Sequence, residues 1–288
     1  MNWILASLIM FVSSVFLYVL VRKAALLQIP TEIVNLAFLG LPIFLYSTLA
    51  IQNHANLSIR PSHLLFILGL TLIGSYIPNV TSLKSIKYAP NPGYSLIISK
   101  SYVVFTTLVA ILLFHSVLTL QATIAIVIIV VFSFLIAQGK NNTQNKLVRP
   151  IWLPLSLVSF FGWGLLSIGT KYAFSIGITI YQRLIYLSIF VTTFMLIEAR
   201  TKKIKFSHVR SSDYLLLLAI GVSSAMFNYF ATLALDLAPN IGYVNAINAS
   251  SISAVTIASA LIFKDDLSIS KMIGILGVTG GLLLLILK

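Results

Sequence analysis

Ala89-Pro90-Asn91-Pro92-Gly93-Tyr94 returns later in the chain as Ala238-Pro239-Asn240-Ile241-Gly242-Tyr243, 149 positions on. The same offset, with no gap, sets Trp3 against Trp152, Ser7 against Ser156, Ala24 against Ala173 and Asn79 against Asn228. It also sets Ser101 against Ser250, Thr107 against Thr256, Phe114 against Phe263 and Leu118 against Leu267. The chain therefore reads as two copies of one unit. It is also strongly apolar: 59% of its 288 residues are hydrophobic, 9% are charged, and the mean hydropathy is +1.02. A soluble domain could not carry such a composition on its surface. An internal repeat in a chain of this kind points to a transporter whose binding site lies between the halves.

A helix needs about 20 apolar residues to cross a bilayer. Ten stretches qualify, near 3–21, 33–51, 64–82, 94–114 and 120–137, then 152–170, 180–197, 214–235, 243–263 and 270–287. The first lacks a charged leading region and a small-residue cleavage site, so it is expected to be a retained helix. A polar stretch containing Asn141, Asn142, Gln144 and Asn145 falls where the repeat predicts the join. The expected domains are a first five-helix repeat over 1–139, a linker over 140–150, and a second five-helix repeat over 151–288.

Five spans per copy is an odd number, so the second copy must enter the membrane inverted. The cations agree with this. Arg22, Lys23, Lys84, Lys87, Lys140, Lys146, Arg149, Arg200, Lys202, Lys203, Lys205, Arg210, Lys264 and Lys271 fall in odd-numbered connections. Only Arg60, Lys171, Arg183 and Lys288 are assigned to even connections and the tail, and Lys100 lies within a span. Taken alone, this bias puts the odd connections in the cytoplasm and both termini outside. The expected fold class is an all-α membrane protein with ten transmembrane helices as two inverted five-helix repeats.

The net charge of +13 would suggest nucleic acid in a soluble protein. Here the cations sit in short connections, where they orient the chain and meet phospholipid, so membrane lipids are expected partners and nucleic acid is not. There is no cysteine, hence no disulfide and no thiolate metal site. Glu32, Glu198, Asp213, Asp236, Asp265 and Asp266 all lie at span ends or in connections. That placement disfavours a carboxylate proton relay or an organic-cation site. The four histidines are peripheral, with no metal-ligand spacing and no readable catalytic set. The expectation is therefore no enzyme, no cofactor and no metal.

Lys100 stands out, about seven positions into its span, or roughly 10 Å along a helix. Its stem can snorkel toward the interface, or its ammonium can face a polar cavity as a substrate contact. Asn79 and Asn228 are matched partners in the third span of each copy, with Pro78 and Tyr229 beside them. An unpaired amide is costly in hydrocarbon, so each must bond a neighbouring helix or face a cavity. Asn245 and Asn248 share a helix face and suit a wetted wall. Ala246, Ser250, Ala254 and Ala258 form a close-packing ridge instead, as do Gly274, Gly277 and Gly281. The Pro-Asn-X-Gly-Tyr blocks read as helix-start turns, whose Tyr94 and Tyr243 can also gate a cavity mouth.

These features together resemble the drug/metabolite transporter superfamily, specifically its ten-helix EamA-like family. Trp163-Gly164 followed by Lys171 is similar to that family's first-helix pattern, and Arg183 to the arginine that opens its second helix. Phe263-Lys264-Asp265-Asp266-Leu267-Ser268, then Gly274 and Gly281, resembles the turn and glycine helix that close each repeat. The first copy departs, with Val15, Val34 and Ser116 where Gly164, Arg183 and Asp265 would stand. The resemblance implies a central cavity lined by the third, fourth, eighth and ninth helices, alternating access, and both termini inside, against the charge count. The candidates Asn79, Lys100, Asn228, Asn245 and Asn248 lie on those four helices and, with Tyr229, are the expected substrate contacts, with Tyr94, Tyr243 and Trp163 expected to gate or line the cavity mouth.

The leading expectation is a secondary transporter or exporter of a small polar metabolite such as an amino acid, working as monomer or homodimer in a bacterial inner membrane. An organic-anion or nucleotide-sugar carrier and a non-transporting membrane component are the alternatives.

Overall fold

The computed structural model of the protein describes residues 1–88, 95, 98–137, 149–204, 210–211, 213–263 and 268–287. All regular structure among them is helical. In the first half, α1 is Trp3–Leu26, α2 Thr31–Leu39, α3 Pro42–Gln52, α4 Pro61–Leu70, α5 Ile77–Tyr88, α6 Tyr102–Phe114 and α7 Leu120–Ala137. The second half holds α8 Trp152–Ser175, α9 Ile180–Thr201, α10 Asp213–Leu237, α11 Ile241–Phe263 and α12 Ile269–Ile286.

Eight stretches are long and apolar enough to cross a membrane: Trp3–Leu26, Thr31–Gln52, Pro61–Ser82, Trp152–Ser175, Ile180–Thr201, Asp213–Leu237, Ile241–Phe263 and Ile269–Ile286. Two shorter apolar helices, Ile98–Phe114 and Leu120–Ile136, lie between the two groups. Leu112, Leu120, Leu215, Leu261 and Ile269 are all more than 70% exposed. Outward faces this apolar are what a lipid surround requires and water does not tolerate as a continuous coat. The protein is an all-helical, multi-pass membrane protein.

The 149-residue offset reappears in the helix bounds. α1 and α8 begin and end 149 residues apart, as do α7 and α12, and as do α2–α3 taken together and α9. Local bonding repeats as well. Ser7 Oγ donates to Trp3 O at 2.8 Å and Ser156 Oγ to Trp152 O at 3.0 Å. Three of the pairs that the offset equates meet head to tail. At the start of α9, Gln182 Nε2 donates to Ser58 O, beyond α3, at 2.6 Å, while Lys202 beyond the end of α9 meets Glu32 at the start of α2 at 3.0 Å. At the start of α11, the Tyr243 hydroxyl donates to Val117 O, beyond α6, at 3.0 Å. Gln121 at the start of α7 donates to Leu284 O and Leu287 O at the end of α12, at 2.7 and 2.6 Å.

The two halves differ in continuity. Between α2 and α3, Pro42 lacks the amide proton that would carry the helix through Gly40 and Leu41. Between α4 and α5 the turn Thr71–Tyr76 widens to a π-helix just before Pro78, which cannot donate to the carbonyl of Gly74. The equivalent segments, α9 and α10, are unbroken; α9 starts with a capping box in which Thr179 and Gln182 satisfy each other's free amides.

Close packing depends on glycine where helices cross. A Cβ on Gly162 would fall 2.1 Å from the Pro78 ring, and one on Gly277 would fall 2.0 Å from the Phe132 ring. Gly280 faces open space, with nothing within 4 Å. Gly277→Ala is therefore expected to destabilise the purified protein by about 1–3 kcal/mol through overpacking. Gly280→Ala should be neutral or stabilising by up to about 1 kcal/mol. Thermal unfolding of both in one detergent checks the contrast.

Lys202 closes an ionic clamp, 2.8 Å from Glu198 and 3.0 Å from Glu32. Hydrogen bonds from Glu198, then Glu32, hold its ammonium above the usual lysine value of 10.5. A raised folded-state value means that the clamp's contribution is complete below pH 10.5 and is lost as the pH rises through the raised value. Lys202 is 47% exposed, so the contribution should stay below about 1 kcal/mol. The stability difference between wild type and Lys202→Met should be constant from about pH 7 to 9 and shrink above about 10.5.

Candidate functional site

Four helical segments converge on Lys100. It sits in the short helical run 98–100, ahead of the turn at Ser101 that leads into α6. Its Nζ lies 4.9 Å from the centroid of the Trp163 ring of α8 and 5.7 Å from that of Tyr18 of α1. An ammonium within about 6 Å of an aromatic face gains roughly 2 kcal/mol when water is excluded. Trp163 meets Tyr102 edge-on at 6.4 Å, and Tyr102 accepts a hydrogen bond of 3.3 Å from Asn248 Nδ2 on α11. The other end of that amide, Oδ1, is buried and has no partner.

The result is a cation and an unused carbonyl acceptor joined by a wall of three aromatic rings. Among the described residues no carboxylate lies within ion-pair distance of Lys100. Lys100 is half-buried, and an ammonium in an apolar surround with no counter-ion beside it can take up an anionic group. Chemically, the cluster can hold a carboxylate at Lys100, a hydrogen-bond donor at Asn248 Oδ1, and apolar or planar surface against Trp163 and Tyr102.

The other residues that the sequence singles out are placed differently. Asn245 is 4% exposed, accepts from Ser167 Oγ at 3.2 Å and donates to Thr106 Oγ1 at 3.0 Å. It ties α11 to α8 and α6, with both amide ends occupied. Asn79 and Asn228 do not meet each other. Each turns back on its own helix, Asn79 to Ser75 O at 2.8 Å and Asn228 to Ser224 O at 2.9 Å. Those serines are themselves 149 residues apart, so the offset extends to this bond.

Asn228 also lines a recess with Arg183 and Tyr46. Tyr229 packs beside Tyr181 and Phe230, at 6.4 and 5.3 Å between ring centroids. Tyr243 is 7% exposed, stacks 5.8 Å from Trp3, and binds the connection ahead of α7 through Val117 O. Tyr94 lies outside the described residues. Among the candidates, the structure thus brings together Lys100, Trp163 and Asn248.

Tyr18 and Tyr102 are not singled out by the sequence, and Arg183 enters there, beyond the charge count, only through the family resemblance. The tyrosines carried little signal, because their helices also hold other aromatic and hydroxyl side chains, among them Phe11, Ser14, Phe105 and Thr106. Arg183, assigned above to a connection at a span end, is the fourth residue of α9 and only 5% exposed. The sequence gives no sign of its burial, because the hydroxyls that receive it come from Thr170 and Thr232, on α8 and α10.

No family model matches the chain, and no curated protein does either. A solved crystal structure with 11% identical residues superposes over 97% of this chain and 96% of its own, with a TM-score of 0.78. At that identity the likeness speaks for the fold and not for an activity.

The two asparagines of α11 should separate in a stability measurement. Asn245→Leu strands Ser167 and Thr106 and is expected to cost about 1–3 kcal/mol. Asn248→Leu removes an amide that is already half unpaired, and should cost less than about 1 kcal/mol. Equal losses in thermal unfolding would contradict this assignment.

Proposed function

We propose that the protein is a secondary transporter built from ten spans in two inverted five-helix repeats, similar to the EamA-like family of drug/metabolite transporters. Its substrate is a small polar metabolite bearing a carboxylate, such as an amino acid, carried by alternating access across a bacterial inner membrane. The observation that carries this reading is the Lys100 ammonium, held between Trp163 and Tyr18 with no carboxylate beside it among the described residues, and linked through Trp163 and Tyr102 to the orphaned acceptor of Asn248. A zwitterion suits that arrangement: its carboxylate goes to Lys100 and its ammonium donates to Asn248 Oδ1, while Trp163 and Tyr102 take the side chain.

The architecture supports the same reading. Equivalent helices that begin and end 149 residues apart and lie head to tail are what an inverted duplication produces. The cluster draws Lys100 from the first half and Trp163 and Asn248 from the second, so it straddles the seam between copies. The chain's own acids lie at span ends or in connections, which favours exchange or facilitated diffusion over coupling through a membrane carboxylate.

The uncompensated charge of Lys100 also favours a second reading, an organic-anion or nucleotide-sugar carrier. Uptake by proteoliposomes containing purified protein separates the two. With Lys100→Met, entry of an amino acid should fall about tenfold, the loss of one charge-assisted contact. Entry of a dianion should vanish. If neither class of solute enters wild-type vesicles, and a cysteine placed at Asn248 in this cysteine-free chain stays unreactive to polar thiol reagents, a non-transporting membrane component is the better description.

A further inference from the structure

A second cation lies apart from Lys100, on different helices. Arg183 is 95% buried, and its two terminal nitrogens donate to Thr232 Oγ1 at 2.8 Å and Thr170 Oγ1 at 3.0 Å. Its Nε is buried and has no acceptor. The two threonine oxygens are neutral, and no acid among the described residues pairs with the guanidinium. Arginine keeps its proton throughout the physiological range, so it cannot escape burial by becoming neutral. An ion left this way is strongly destabilising unless something of opposite charge joins it.

The surroundings offer a place for that partner. Arg183 lines a recess with Tyr46, Ser188 and Asn228, between walls that include Phe38 and Leu187. Tyr46 donates its hydroxyl proton to Ala225 O at 3.3 Å, and the Asn228 amide donates to Ser224. Neither group supplies negative charge. The Ser188 hydroxyl lines the same space and is a further donor. The recess has room for one water-sized occupant. A halide or the end of a small unbranched carboxylate is somewhat larger than water and enters as the lining side chains give, while tetrahedral oxyanions such as phosphate are larger still.

We infer that this recess is a binding site for one small monovalent anion, held by the free Nε–H edge of Arg183 and the hydroxyl of Ser188. The occupant serves as counter-ion to a guanidinium that the chain itself leaves unbalanced. It ties α9 to α3 and α10, which form the other walls. The site is separate from the Lys100 cluster and does not rest on the transport reading. The protein is an anion-dependent assembly whether or not it carries a solute.

The test uses full-length protein purified in detergent, held at constant ionic strength in sodium gluconate, whose anion is too bulky for the recess. Bromide, chloride and acetate are each titrated against thermal unfolding. The expected result is a saturable rise in Tm of roughly 5 °C at a hundredfold excess over Kd. Arg183→Gln should abolish it, and Ser188→Ala should weaken binding several-fold.

A bromide soak of wild-type crystals needs no variant to fold, and should give an anomalous peak within roughly 3.5 Å of Arg183 Nε. A response to halides alone assigns the site to a free inorganic ion, and a response to acetate alone assigns it to a small carboxylic acid. Either supports the inference. An equal rise with phosphate or further gluconate overturns it, as does a bromide-soaked crystal with no peak at Arg183.

Discussion

Hydrocarbon has no hydrogen bonds to offer, and that single fact governs where this chain places its polar atoms. Serine and threonine hydroxyls along the helices turn back to carbonyls three or four residues earlier, as Thr71, Ser99, Thr107 and Thr170 do. Others join helices. Ser85, Ser95 and Ser156 form a buried knot that draws α5 and α8 together, with Ser85 and Ser156 Oγ atoms 2.5 Å apart. Once such bonds are counted, few buried side-chain atoms among the described residues remain without a partner. Two of them matter for the sites: Arg183 Nε, part of a buried cation, and Asn248 Oδ1, on the amide bonded to Tyr102.

The two cations are housed in different ways. Lys100 is met by two aromatic faces, which spread its charge over a broad surface. Arg183 is met by two threonine oxygens at fixed positions and a cramped recess, a setting for one small ion. The planar fork of arginine suits directed bonds, and the single point charge of lysine suits a looser pocket.

Much of the architecture was legible because the spacing that relates the sequence blocks also relates the helix bounds. The offset read from the Pro-Asn-X-Gly-Tyr blocks gives the bounds of α8, α9 and α12 from those of α1, α2–α3 and α7. The breaks were less visible. Pro42 and Pro78 lie inside apolar stretches that read as continuous spans, and the local cost of a missing amide proton was outweighed by hydropathy. In the site, Lys100 stood out as a charge where charges are scarce. The contrast between Asn245 and Asn248 was hidden: three residues apart on one face, they differ only in what stands opposite, Thr106 and Ser167 for one and a lone tyrosine hydroxyl for the other. Sequence periodicity assigns a face, but it does not say which neighbours complete the bonding.

The interruptions between α2 and α3, at Thr71–Tyr76 and at Ser101 all fall in the amino-terminal copy, while their counterparts in α9, α10 and α11 are continuous rods. The two halves are therefore not mechanically equivalent. Where a rung of the backbone ladder is missing, a helix bends under small loads, and an intact one transmits force along its axis. Shape change in this molecule should therefore be carried by a compliant amino-terminal half working against a rigid carboxyl-terminal frame.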